Sequence, residues 1–599
     1  MWDCGVREMV SRLRVSEWRR MRRCMLIRLL ILISAAAVVP SMAGEGGVSR
    51  VVMVLLRGAG AEQWGVTGNP GAATPRMDRM ARDAVLLTDF HTEPLASPAL
   101  VAVLTGEEPR RSGVWADGGG RHLFGGGVRT LAEAAREAGV VTAWVGTWGL
   151  GDAAPCRPQD HGFVRVCTHG GAVPGSIGDA WENGLEDAWW LVDGKRERRK
   201  GGMAAACFEE AQNFIGRHVE KPFLCVVSPP EAEMSEVDGM VGDLWNHVSG
   251  LGLGRSTLLV VTALTATASA GVEKEGKKEG EYGGGRRGRR GEAWQGGHLV
   301  PCLWRWPDGV RAGTREGALA SVMELAPTVA EAAGWKWQGG GSLAKLLRGG
   351  ASEGPRPFLV VEAQDVPVPQ RWRRTALLMP GWALVNGEAL YDLRRDPGQR
   401  AAVSERWPER VKEMNGLYDR WWRETGGIET KPVRLRCGGA EAVTVSAADW
   451  YSRGERLEWP EDIERGRPGE GAWLVEVEEA GVMLVTLRRR PAGVAGGIAD
   501  ETVPAVTARL RAGTVDEVMA IPANAESVTF KVKLPAGAGS VQGWWQGKDG
   551  RSWGAGFAEI RREPPPPPVP APAVPATGPV PAVPPPSVPV PAEGVGGGN

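Results

Sequence analysis

The segment 50–56, RVVMVLL, is a continuous apolar run. A strand covered on one face alternates apolar and polar residues, whereas a strand covered on both faces reads as unbroken hydrophobics. This run therefore predicts a central strand of a parallel sheet. Residues 74–85 (TPRMDRMARDAV) open with a capping threonine and a proline at the first helical position, and their apolar members recur at helical spacing. Residues 130–139 (TLAEAAREAG) give a second amphipathic helix, closed by glycine and leading into a strand over 140–145 (VVTAWV). Residues 223–227 and 257–261 are two more short apolar runs. Strands alternating with helices in this way predict an α/β domain with a mostly parallel central sheet flanked by helices.

With 599 residues the chain exceeds one ordinary domain, and its 43% hydrophobic content supports a sizeable core. From about residue 431 the pattern changes to period two. Residues 473–487 (WLVEVEEAGVMLVTL) read as two strands around a Glu-Ala-Gly turn, and residues 527–534 alternate similarly. A smaller all-β sandwich domain is expected over 431–562. Beyond Glu563 the proline-rich sequence favours extended polyproline II and cannot form a core, so 563–599 is expected to be a disordered tail whose partner the sequence does not name. Residues 271–292 are charged, glycine-rich and without apolar spacing, which predicts a flexible surface insertion rather than a nucleic-acid-binding arm. The α/β domain is assigned to 48–428, with a small C-terminal subdomain at about 375–428.

Arg19, Arg20, Arg22 and Arg23 precede an apolar stretch of about 11 residues (29–39) and an A-x-A-like Ser41-Met42-Ala43, the pattern of a secretory signal over 1–43. That stretch is short of the roughly 20 apolar residues of a membrane span, so no stable membrane span is expected. Export to the periplasm or the extracellular space follows as an expectation, with Met21 and Met25 as alternative starts. Lys+Arg and Asp+Glu balance at 71 each, so no net field recruits nucleic acid or an anionic membrane. Cys156 and Cys167 are near enough in sequence to close a small loop in an oxidising compartment, while Cys225 and Cys302 lie in apolar runs and read as buried thiols. No CxxC pair occurs, which argues against a zinc or iron–sulfur site.

Residues 88–106, TDFHTEPLASPALVAVLTG, resemble the signature of the sulfatase family, in which Cys-x-Pro-x-Arg leads into a helix ending in Leu-Thr-Gly. Pro98, Leu104, Thr105 and Gly106 keep that frame. Further matches follow in family order: 49–60 (SRVVMVLLRGAG) for the first strand, 146–151 (GTWGLG) for Gly-Lys-Trp-His-Leu-Gly, and His161-Gly162-Phe163. They continue with 257–266 (TLLVVTALTA) for the strand ending in Asp-Asn-Gly, 295–301 (QGGHLVP) followed by Trp304-Arg305-Trp306-Pro307, and 389–397 (ALYDLRRDP). The resemblance runs from about residue 49 to 425 and implies an alkaline phosphatase-like α/β fold. The β module, with Leu487-Arg-Arg-Arg-Pro491, looks like the extra C-terminal domain of some exported bacterial sulfatases.

The resemblance also implies chemistry: a cysteine oxidised to formylglycine, whose hydrate attacks the sulfate ester, and a calcium ion held by aspartates and an asparagine. Here the cysteine position is Ala96 and the arginine position is Leu100. The calcium positions are Arg57, Gly58, Leu264 and Thr265. Calcium takes six to eight oxygen ligands, and these positions offer at most one hydroxyl beside a repelling guanidinium. Formylglycine needs a thiol or hydroxyl precursor; Ser97 is one residue away and reads as a helix N-cap. Thr147 and Gly149 replace the family's lysine and histidine, Glu231 stands nearest to another histidine, and Arg290 falls on a lysine. His161 reads as structural, and His298 as a polar rim residue.

These substitutions predict a catalytically inactive sulfatase-fold protein with no catalytic residue, no metal site and neither calcium nor formylglycine. Arg57, Arg290 and His298 are the ligand-binding candidates, for a sulfated saccharide or another anionic ligand. One alternative is an active sulfuric ester hydrolase with a formylglycine-independent site built from His91, Glu93 and Glu231. Another is an exported structural or interaction protein.

Overall fold

The strand Arg50–Leu56 lies in the middle of a ten-stranded sheet, in a computed structural model that describes residues 48–267, 282–283, 285–306, 308–350, 353–427 and 431–564. The signal segment 1–43, much of the 271–292 insertion and nearly all of the proline-rich tail fall outside the described residues. Val51 to Leu56 are at most 1% exposed, the burial their composition requires.

Five strands form the parallel centre: Thr257–Ala263, Arg50–Leu56, Phe223–Ser228, Val141–Gly146 and Arg165–Thr168. On one side Cys302–Arg305 joins antiparallel, followed by Val85–Leu87 and Thr314–Glu316. On the other the antiparallel strands Trp189–Val192 and Lys195–Arg198 complete the edge. The sheet is thus mixed, with its parallel part at the centre.

Two separate groups of helices pack on the sheet. Pro75–Met80, Met203–Arg217 and Met234–Gly250 form one; Ala96–Thr105, Leu131–Glu137 and Leu325–Ala333 form the other. Leu131–Glu137 starts at a capping box in which Thr130 accepts from the Glu133 amide and the Glu133 carboxylate accepts from Thr130. A four-stranded antiparallel sheet (Leu359–Glu362, Thr375–Met379, Trp382–Val385, Ala389–Asp392) packs with the helix Pro408–Glu424 around Met414, Tyr418, Trp421 and Trp422.

The C-terminal region contains two further β-sheets over one core that includes Trp450, Trp473, Phe530, Trp545 and Ile560. The two strands around the Glu-Ala-Gly turn do not pair with each other. Trp473–Val477 pairs with Gly537–Gly547 in one sheet, and Gly481–Arg488 pairs with Ser527–Leu534 and Phe557–Arg562 in the other. The turn carries the chain across the core, so both strands bury alternate residues against each other's sheet. Leu123, Ala153, Cys156 and Ile177 of the α/β part join this second core, which ties the two parts together. That packing overrides the loop expected from cysteine spacing. Cys156 belongs to the β core and Cys167 to the main core, and both are free thiols. Cys225 and Cys302 are fully buried free thiols.

Candidate functional site

In open α/β sheets, clefts form beyond the carboxyl ends of the strands. Arg57 and Gly58 follow the central strand, Leu264 and Thr265 follow Thr257–Ala263, Thr147 follows Val141–Gly146, and Glu231 lies just past Phe223–Ser228. Main-chain bonds hold these ends in register. Leu264 donates to the Leu56 carbonyl at 2.7 Å, Ala59 to the Thr265 carbonyl at 3.1 Å, and Thr147 to the Ser228 carbonyl at 2.7 Å. The Thr265 hydroxyl accepts from the Gly58 amide at 3.0 Å, and Thr92 donates to the Leu264 carbonyl.

Gly58 has φ +66°, and a Cβ there would stand 2.3 Å from Oε1 of Glu231. The Glu231 carboxylate therefore occupies the space that a side chain at position 58 would need. Arg290 donates to the other Glu231 oxygen at 2.8 Å. Arg57 faces the same group of charges: burial lowers its pKa to about 10, Asp117 and Glu231 oppose that shift, and Arg290 adds to it. Arg57 stays charged at neutral pH, yet its Nε is buried without a hydrogen-bond partner. The cleft brings the predicted pair Arg57 and Arg290 together, and brings two carboxylates with them.

The helix Ala96–Thr105 points its first turn at this cleft, and Gly106, at φ +67°, ends it. Its N-cap is Leu95, which offers no side-chain acceptor. The cap comes instead from Asp117, whose carboxylate accepts from the Ala96 amide at 3.2 Å and the Ser97 amide at 2.7 Å. This corrects the reading of Ser97: it sits inside the helix, and its hydroxyl donates to the Gly149 carbonyl at 3.3 Å. Leu100 is fully buried in the main hydrophobic core, whereas Ala96 is half-buried at the helix start.

The histidines divide differently from the expectation. His298 is 0% exposed and pairs through Nδ1 with Nδ1 of His91 at 2.9 Å, so it is a core residue rather than a polar rim residue or a ligand contact. His91 in turn reaches Asp89 at 3.0 Å. Burial and the neighbouring His91 hold the His298 pKa well below its usual value, so it is neutral. His161 donates from Nε2 to the Phe124 carbonyl (2.9 Å) and stacks on Phe124, a packing role. Sequence reasoning missed His169. It is fully buried, its Nε2 lies 2.9 Å from the Thr147 hydroxyl, and Arg57 is among the charges acting on it. It also missed Asp117, which lies in a glycine-rich stretch (Asp117-Gly-Gly-Gly-Arg) with no periodic signal.

A mixed α/β sheet with converging loops at its carboxyl edge defines the class of protein, one whose site is built from strand ends. Residues 49–232 match the family model described as Sulfatase. The mouse steryl-sulfatase is 26% identical over an alignment covering 61% of this chain and 80% of that protein. The dog N-acetylgalactosamine-6-sulfatase is 25% identical, with 51% and 66% covered. Among solved structures, Ps i-CgsB in complex with k-i-k-neocarrahexaose superposes with a TM-score of 0.54 at 18% identity, covering 64% of this chain and 95% of that one. BT4656 in complex with its substrate D-glucosamine-2-N,6-O-disulfate gives 0.51 at 16% identity, with 63% and 98% covered. The chain thus carries a sulfatase-family domain. No helix among the described residues is long and apolar enough to cross a membrane.

Proposed function

We propose that this sulfatase-family protein does not hydrolyse sulfate esters. The observation that carries the reading is the Glu231 carboxylate lying against the α-carbon of Gly58. At the strand ends where the family resemblance expects a calcium ion, the side chains are a guanidinium, none, an isobutyl group and a hydroxyl already bonded to the Gly58 amide. This donor set does not fit a hard divalent cation. The residues offered for a replacement site are also engaged elsewhere. His91 pairs with Asp89 and His298, Glu231 pairs with Arg290, and buried Glu93 lies beside Glu362, whose amide donates to it. The purified protein is expected to show no calcium-dependent turnover of a chromogenic aryl sulfate and no stoichiometric calcium by metal analysis. Turnover with bound calcium would overturn the reading.

A second reading, anion binding at the arginine pair, is favoured by the buried, unpartnered Nε of half-buried Arg57. A sulfated saccharide would compete there with Asp117 and Glu231. Calorimetric titration of the wild type and of Arg57→Ala with a sulfated saccharide tests it, and equal binding by both proteins sinks it. Export remains a proposal resting on residues 19–43, checked by finding a mature protein that starts near residue 44 outside the cytoplasm.

A further inference from the structure

The carboxylate over Gly58 belongs to a side chain that is only loosely committed. Glu231 lies in the short irregular link between Phe223–Ser228 and Met234–Gly250, and its side chain is 48% exposed. Its ion-pair partner, Arg290, has a side chain 37% exposed. A pair open to solvent at both ends is weakly held. The notch that receives the carboxylate is anchored. The Thr265 hydroxyl accepts from the Gly58 amide at 3.0 Å, and the Thr265 carbonyl accepts from the Ala59 amide at 3.1 Å. With a Cβ at position 58, the Glu231 carboxyl carbon would stand 2.5 Å from it and Cγ 3.0 Å. Carboxylate and stem thus lie against the α-carbon, in a space that only glycine leaves free.

Charge points to the same notch. Arg57 precedes Gly58 and shares its surroundings with Arg290, Asp117 and Glu231, two guanidiniums against two carboxylates. Asp117 uses both oxygens on the Ala96 and Ser97 amides. Glu231 is then the anion that balances Arg290, from a position that a free anion could take. An incoming anion that joined Glu231 would set two negative charges side by side, so it has to replace that carboxylate. Shape limits what can replace it. A planar carboxylate can lie flat on the α-carbon, whereas a tetrahedral sulfate turns an oxygen out of every plane and meets the backbone.

We infer that the cleft binds a small carboxylate in place of the Glu231 side chain, which fills the notch as a resident competitor in the free protein. Gly58 supplies the flat floor, Arg290 the charged hydrogen bond, and Arg57 a second positive charge beside it. This rests on anion uptake by the arginine pair, and it names both the anion and the group that moves aside. The selection runs toward carboxylate and away from sulfate, opposite to what the family resemblance implies.

The test is a titration of the full chain with propionate, which reproduces the end of a glutamate side chain, and with inorganic sulfate at matched ionic strength. Binding is read from the rise in thermal midpoint with anion concentration. Glu231→Ala, which vacates the notch, is expected to bind propionate about tenfold more tightly than the wild type, the effect of removing a like charge at close range from a partly exposed site. In that variant propionate is expected to bind more tightly than sulfate. Glu231→Gln, which keeps a planar group over Gly58, is expected to gain less, and Arg290→Ala in the Glu231→Ala background to lose the gain. Equal propionate binding by Glu231→Ala and the wild type, an equal gain in Glu231→Gln, or a gain that survives Arg290→Ala would each overturn the proposal. Sulfate binding Glu231→Ala as tightly as propionate would overturn it while leaving anion uptake by the arginine pair standing. No response to either anion in any of these proteins would remove both.

Discussion

Within the strand Arg50–Leu56 every residue after Arg50 is buried and apolar, while the next two are a guanidinium and a glycine at φ +66°. The same contrast recurs where Val141–Gly146 gives way to Thr147, and where Thr257–Ala263 and the buried Leu264 give way to Thr265. Inside the sheet, a side chain answers to close packing on two faces, so shape and polarity are held together. At the carboxyl edge, a side chain answers to whatever charges the neighbouring loops bring. One carboxylate there, Glu231, fills the space over Gly58 and neutralises Arg290. The edge could therefore exchange its chemistry while the sheet beneath it kept its form.

If interior and edge differ as described, substitutions should sort by location. Trp144→Ala, removing a fully buried indole beside Trp148 and Phe163, is expected to cost about 3–5 kcal/mol in denaturant unfolding. Gly146 lies on the boundary: its φ is +108°, and a Cβ would stand 2.0 Å from the Ser228 carbonyl. Gly146→Ala is expected to cost about 1–3 kcal/mol or to disturb the Thr147 end of the strand, seen in the same measurement. Asp117→Ala, which uncaps the helix Ala96–Thr105, should cost about 1 kcal/mol.

The buried acid Asp449 gives a pH-dependent version of the contrast. Its pKa rises from the usual 3.8 to about 6 on folding, so the folded state holds the proton more tightly than the unfolded chain. The contribution is present below about pH 4 and is lost as pH rises through about 6. Asp449→Asn lacks that loss. Its thermal stability relative to the wild type should climb between these values and level off above them, and a pH-independent difference would remove Asp449 from the account. Arg290→Ala, which breaks a half-exposed ion pair, should change stability by at most about 1 kcal/mol. An effect as large as that of Trp144→Ala would break the comparison.

The elements legible in sequence were those with local causes. The apolar runs mark the central strands because double-sided burial favours apolar side chains at consecutive positions. The Thr130–Glu133 box marks a helix start because both of its bonds span three residues. The turn in residues 473–487 was visible, but not that its two strands belong to opposite sheets, since alternation gives a strand's faces and not its partners. Of the candidate site, the arginines and the strand-end positions were legible through motif order. Asp117 and His169 were not, because each acts on residues distant in sequence and carries no spacing signal. His298 was misplaced for the same reason: a lone histidine in a sequence does not show that another ring lies 2.9 Å away.

The amino-acid sequence by itself determined the α/β class, the change to β structure near residue 431, and which strand ends carry unusual residues. Those properties follow from periodicity and from local capping, which act over a few residues. Only the tertiary structure decided that Glu231 meets both Gly58 and Arg290, and that Asp117 caps a helix from 20 residues away. Charges act through space rather than along the chain, so their balance is fixed only when the fold brings them together.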